Sequence, residues 1–148
     1  MCEGLAVRPV RRDEVGRFNA ELDARHWLGH RIVGETMRCV ATERDRWVAL
    51  VGLGSAALAC APRDRWVGWS RQQQFARLRF VVSNQRFCVL PQGRRPDLAS
   101  AVLARALRRV CADCQASYAH PVLAVETFPA RPVIGAAVTR LQGSPRWA

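Results

Sequence analysis

Residues 86 to 127 constrain the fold more tightly than any other part of the chain. A short apolar run, Arg86 to Leu90 (RFCVL), stops at Pro91. A polar loop then leads to Asp97, a residue type suited to a helix N-cap, and a helix runs from Leu98 to about Tyr118. Its apolar stripe is Ala99, Val102, Leu103, Ala106, Leu107, Val110 and Cys114, at spacings of three and four, with Arg105, Arg108 and Arg109 opposite. Pro121 breaks the pattern, and Val122 to Thr127 (VLAVET) is a second apolar run. Two strands joined by one long helix pair in parallel through a crossover, right-handed by default.

The upstream half adds antiparallel pieces. Residues 12–25 read as a helix, with Val15, Phe18 and Leu22 on one face and the acids Asp13 and Glu14 early, where the helix dipole favours them. Met37 to Thr42 and Trp47 to Leu53 are two apolar runs joined by the charged link Glu43-Arg44-Asp45-Arg46, a hairpin pattern. The second run is continuously apolar, as in a strand buried on both faces. Ser70 and Gln73 make a capping box, opening a helix whose stripe is Phe75, Leu78, Val81 and Val82. The order helix, strand, strand, helix, strand, helix, strand predicts an α/β chain of the α+β, mixed-sheet kind. An antiparallel hairpin and a parallel β-α-β crossover share one sheet. No repeat, low-complexity tract or boundary divides residues 1–148 into more than one domain.

Composition narrows the chemistry. The chain has 148 residues, 49% hydrophobic and 24% charged, a globular balance. All 23 cations are arginine, and the absence of lysine excludes a P-loop lysine, a Schiff base and a Ser–Lys dyad. The net charge of +11 is uneven, +3 over residues 1–74 and +8 over residues 75–148. A polyanion would feel mostly the second half, and arginine grips phosphate in bidentate fashion. A GC-rich genome, which writes arginine freely, accounts for the same bias without a partner. The six cysteines, Cys2, Cys39, Cys60, Cys88, Cys111 and Cys114, follow an N-terminus with no apolar signal core, so free thiols in the cytoplasm are expected. The longest uncharged run, Trp47 to Pro62, is shorter than the ~18 apolar residues that span a bilayer, so no membrane partner is expected.

Few residue groups carry chemistry. Cys111-x-x-Cys114 has the spacing of half a zinc site, but no second pair stands at a suitable distance, and His26, His30 and His120 are scattered; no metal site is expected. Arg63-Asp64-Arg65-Trp66-Val67-Gly68-Trp69 sets an acid between two guanidinium groups beside two indoles. It reads as a phosphate clamp with a stacking platform, or as a tight turn whose Trp66 and Trp69 fill the core. Asn84 and Arg86 stand at a strand start, where they bind a ligand or close a turn. Glu126 lies among apolar residues in the last strand, and with Asp64 makes the one two-carboxylate candidate for acid–base chemistry. Arg94 and Arg95 precede a helix N-terminus, a natural anion site. That loop and the strand–loop–helix–strand order resemble the pyrophosphate loop and topology of GNAT acyltransferases. Asp97 stands where those have a central glycine.

An ordered set of segments goes further: His26-Trp27-Leu28-Gly29, Gly34-Glu35-Thr36-Met37-Arg38, Trp47 to Gly52, Arg63 to Ser70, Asn84-Gln85-Arg86-Phe87, Leu98-Ala99-Ser100 and Leu123 to Phe128. Together they resemble the Druantia anti-phage system protein DruA family, whose members also accompany transposon genes. The family carries a further Gly-Thr-x-Tyr type stretch, for which only Gly135 to Val138 stands here, so the resemblance implies a copy truncated at its C-terminus. It also has tryptophan where this chain has Cys114. The resemblance implies a DNA-associated accessory protein of a defence system or mobile element. DNA and companion defence or transposon proteins are its expected partners. Arg63, Arg65, Trp66, Trp69, Asn84, Arg86, Arg94 and Arg95 are the expected nucleic-acid contacts, and Asp64 and Glu126 the acids available for chemistry. Two alternatives stay open, a GNAT-like acyltransferase using acetyl-CoA and a degenerate remnant without chemistry. The sequence names no cofactor beyond that alternative and fixes no reaction.

Overall fold

The crossover read from residues 86–127 is present and extends an antiparallel array. In the computed structural model, which describes residues 4–128 and 137–140, six strands hydrogen-bond in chain order into one mixed sheet. They are β1 (Leu5–Pro9), β2 (Met37–Glu43), β3 (Arg46–Ser55), β4 (Val81–Val89), β5 (Ala124–Thr127) and β6 (Ala137–Arg140). Strands β1 to β4 alternate in direction, β4 and β5 run parallel, and β6 is antiparallel to β5. The helices are α1 (Val15–Arg25), α2 (Ala61–Val67), α3 (Arg71–Arg77) and α4 (Leu98–Tyr118).

The expected hairpin is β2–β3. Its ladder closes at Glu43 and Arg46, so Arg44 and Asp45 alone make the turn, with φ of 50° and 63°, as a type I′ connection requires. Every residue from Trp47 to Gly54 in β3 is buried, the mark of a central strand covered on both faces. Phe18 and Leu22 of α1 pack with Val40, Trp47 and Leu50. Val102, Ala106, Val110 and Cys114 of α4 pack on the other face with Cys39, Ala41, Ala49 and Val51. The α4 stripe therefore lies where its spacing put it.

One strand is added to the sequence reading and three local readings are corrected. Leu5–Pro9, too short to show a period, is an edge strand paired to β2. Val81 and Val82 are not helical; the chain tightens into a 3-10 turn at Leu78–Phe80, and the two β-branched residues begin β4 opposite Ala124 and Val125. The segment from Arg63 to Trp69, open to reading as a phosphate clamp or a tight turn, falls mostly in helix α2, ended by Gly68 in the left-handed region. Asp97 holds the N-cap position of α4 at φ 64°, but its side chain makes no capping bond. The Ser70–Gln73 capping box forms in both directions, at 3.2 and 2.8 Å. Cys39, Cys60, Cys88, Cys111 and Cys114 are free thiols; Cys2, Gly135 and Ala136 lie outside the described residues. Among the described residues no helix is long and apolar enough to cross a membrane.

Candidate functional site

The RDRWVGWS segment closes inward. Arg63 is 0% exposed, as is Glu126. Its Nη1 donates to Glu126 Oε2 at 2.9 Å and to the Ala57 carbonyl at 2.6 Å. Its Nε donates to Asp64 Oδ1 at 2.9 Å, and that oxygen also accepts from Trp69 Nε1 at 3.0 Å. The Arg63 guanidinium stands 5.7 Å over the Trp69 ring. Burial pushes the Asp64 carboxyl up, but bonds from Arg63, the Cys60 amide and Trp69 outweigh it and hold the group below its ordinary value. So Asp64 and Glu126 do meet, each bonded to the one buried guanidinium. Arg63 is a structural cation tying α2 to β5, because a buried guanidinium reaches no phosphate. Arg65 is exposed and Trp66 is 50% exposed, both on the outer side of α2.

The α4 entrance is likewise partly engaged. Arg95 grips Glu43 in bidentate fashion at 2.6 and 2.8 Å, and these bonds, stronger than the opposing burial, draw the Glu43 carboxyl down. Arg94 is exposed.

The open site lies where β4 leaves β5. Their parallel pairing runs from Val81–Ala124 to Asn84–Thr127 and stops, while β4 continues to Val89. At the same point the β3–β4 register shifts, with Gly52 facing Arg86 and Leu53 facing Asn84, so Gln85 is the extra residue of a bulge. A cleft of about 580 Å³ opens there. It is walled by residues 26–28, residues 83–87, Leu103 of α4, Thr127 and Phe128. A narrower apolar slot of about 100 Å³, lined by Val51, Leu103, Leu107 and Val125, shares Asn84 and Thr127 with it. Crevices at the carboxyl ends of parallel strands are the usual ligand sites of open sheets.

Three of the segments quoted above build this cleft, and side chains of the NQRF segment do the building. Arg86 Nε donates to the Gly29 carbonyl at 2.8 Å and Nη2 to the Leu28 carbonyl at 3.3 Å, drawing the HWLG loop against the sheet. Gln85 accepts from the Val33 amide at 2.9 Å and donates to the Val33 and Ser55 carbonyls at 3.1 Å. The loop lies this close because Gly54 has no Cβ; one placed there would stand 2.6 Å from the Val33 carbonyl oxygen. Burial first, and then the Arg86 charge, press the His26 ring below its ordinary value, and its Nδ1 accepts the Leu28 amide at 3.2 Å, as a neutral ring does. Asn84 places Nδ2 3.4 Å from Thr127 Oγ1, while its Oδ1 is buried without a hydrogen-bond partner. Trp27 is 73% exposed and Phe128 49% exposed at the rim.

Of the expected site residues, the fold thus gathers Asn84 and Arg86 at the cleft and sends Arg63, Asp64, Trp69 and Glu126 into an internal ion network. Trp27, Phe128 and Gln85 were not anticipated as site residues. Two aromatics in polar surroundings, HWLGH and ETFPA, were the available signal. A family model described as Druantia protein DruA matches residues 6–142 of the chain. No curated protein matches it.

Proposed function

The chain belongs to the DruA family, that of an anti-phage defence system protein, and from that premise we propose that it binds single-stranded nucleic acid at the β4–β5 cleft. The observation that carries this reading is a preformed crevice rimmed by two exposed aromatic rings, Trp27 and Phe128, on a chain of net charge +11. Bases stack on such rings only when they are not paired in a duplex. Asn84 offers an amide to a base edge from inside the crevice. Arg31, exposed beside the HWLG loop, and Arg65 and Arg94 elsewhere, are the cations that reach phosphate. Arg86 is a positioning residue: it holds the loop that carries Trp27.

Binding of a labelled oligonucleotide across a salt series tests this. Affinity falls by about 0.7 log units per log unit of salt for each phosphate contact to a single strand. Trp27→Ala and Phe128→Ala each weaken binding by about 1–3 kcal/mol at an unchanged salt slope. Arg31→Gln lowers the slope instead. Weak binding, flat in salt, or preference for duplex over single strand, sinks the proposal.

One observation favours a second reading. Past Asn84, the β4 edge that faces β5 has no strand paired to it among the described residues. An extended, amide-bearing chain such as the pantetheine arm of an acyl-CoA fits a gap of that kind. Here the support is fold-level analogy to GNAT acyltransferases. Coenzyme A at 100 times its Kd adds about 2.7 kcal/mol of stability, so a thermal shift with coenzyme A and none with oligonucleotide selects this reading.

A further inference from the structure

A second cluster sits at the opposite end of β5 from the cleft. Glu35 lies in the loop before β2, Cys114 near the C-terminal end of α4, and His120 in the link from α4 to β5. One donor atom from each lies within 4.8 Å of the other two. The His120 Nδ1 stands 3.0 Å from the Pro121 carbonyl oxygen, an acceptor, so the ring proton belongs on Nδ1. Nε2 then turns its lone pair to Glu35 Oε2, 2.5 Å away. Two acceptors that close repel unless a cation lies between them. A shared proton suits the pair alone at that separation; a metal ion needs the two atoms about 3.3 Å apart, and also employs the neighbouring thiol.

We infer that Glu35, His120 and Cys114 form a three-ligand site for a divalent metal, with Zn²⁺ the ion their mixed oxygen, nitrogen and sulfur donors suit. Cys114 Sγ stands 3.6 Å from Nδ1 and 3.9 Å from Nε2, and Zn–S and Zn–N bonds of about 2.3 and 2.0 Å at a tetrahedral angle separate sulfur from nitrogen by about 3.5 Å. Glu35 shifts outward by under 1 Å to admit it, since Zn–N and Zn–O bonds of about 2.0 Å at a tetrahedral angle separate the two atoms by about 3.3 Å. Three protein ligands plus one open position is the arrangement of zinc sites that bind water or substrate. A cavity of about 230 Å³ adjoins the cluster, lined by Glu35, Cys114, Ser55, Leu78, Arg79 and Val81. The outer partners are present as well. The Pro121 carbonyl orients the ring, Phe80 packs edge-on at 5.9 Å, and Tyr118 Oη donates to the Thr36 carbonyl at 2.7 Å, pinning the Glu35 loop to the end of α4. Such second contacts hold metal ligands in place.

The test uses the full chain, stripped with chelator and titrated with Co²⁺ and then Zn²⁺. The site takes one ion per chain, and Co²⁺ produces a sulfur-to-cobalt charge-transfer absorption. Cys114→Ser abolishes that absorption; Cys111→Ser and Cys60→Ser keep it. Glu35 has a side chain 44% exposed, so Glu35→Gln folds normally and weakens Zn²⁺ by about 10-fold or more. No stoichiometric binding, an absorption that survives Cys114→Ser, or an affinity indifferent to Glu35→Gln overturns the site and leaves a hydrogen-bonded Glu35–His120 pair in its place.

Discussion

Replacing Arg63 by methionine is the sharpest test of how α2 is held to the sheet. The substitution keeps an apolar stem of similar length and removes a guanidinium that is wholly buried. It deletes bonds to Glu126, Asp64 and the carbonyls of Ala57 and Leu58. Asp64 retains partial exposure and the bonds from Cys60 and Trp69. Among the described residues Glu126 retains only the Ala57 amide at 3.0 Å, so a buried carboxylate loses its counter-charge. Removing one partner of a buried pair costs about 3–5 kcal/mol. In a domain of this size that lowers Tm by about 2–4 °C per kcal/mol. Glu126→Gln is milder, about 1–3 kcal/mol, because Arg63 keeps Asp64 and a neutral amide still fills the space. The double variant Arg63→Met with Glu126→Leu recovers much of the loss, since an apolar pair of similar volume replaces a buried ion pair at little net cost. Urea unfolding gives the three midpoints and shows whether the slope stays constant. An Arg63→Met variant within 1 kcal/mol of the parent, or a double variant no better than Arg63→Met, refutes the argument.

Three further outcomes follow from single contacts. Bonds from Arg8 and the Arg11 amide hold the Glu14 carboxyl from its ordinary 4.5 down to about 2. Its folded value lies below its unfolded one, so its contribution is present above about pH 4.5 and lost as pH falls towards 2; unfolding curves over that window are shallower in pH for Glu14→Gln, and equal slopes contradict this. Gly54→Ala drives a methyl to 2.6 Å from the Val33 carbonyl and 2.7 Å from Ile32 Cγ2, costing about 1–3 kcal/mol; a Tm equal to that of the parent refutes the close approach. Arg86→Met frees the Leu28 and Gly29 carbonyls and removes the charge pressing on His26, so amides of residues 28–33 exchange faster while β3 is unchanged, and the His26 pKa rises in an NMR titration.

Features legible in the sequence close within a few residues of themselves. The α4 stripe, the β2–β3 hairpin and the Ser70–Gln73 box repeat a spacing or a turn chemistry that backbone geometry dictates locally. The same reasoning misplaced Val81 and Val82, because two valines fit a helical stripe and a strand start equally well until β5 arrives beside them. It could not say which way RDRWVGWS faces: Arg63 is buried because Glu126, 63 residues on, holds it there. The cleft depends on contacts still more distant, Arg86 with the loop 57 residues earlier. Glu35 and His120, 85 residues apart, lie together only because α4 ends beside the start of β2. Charge, periodicity and capping are properties of a segment; whether a guanidinium is a surface contact or an interior tie depends on which carboxylate the folded sheet sets against it.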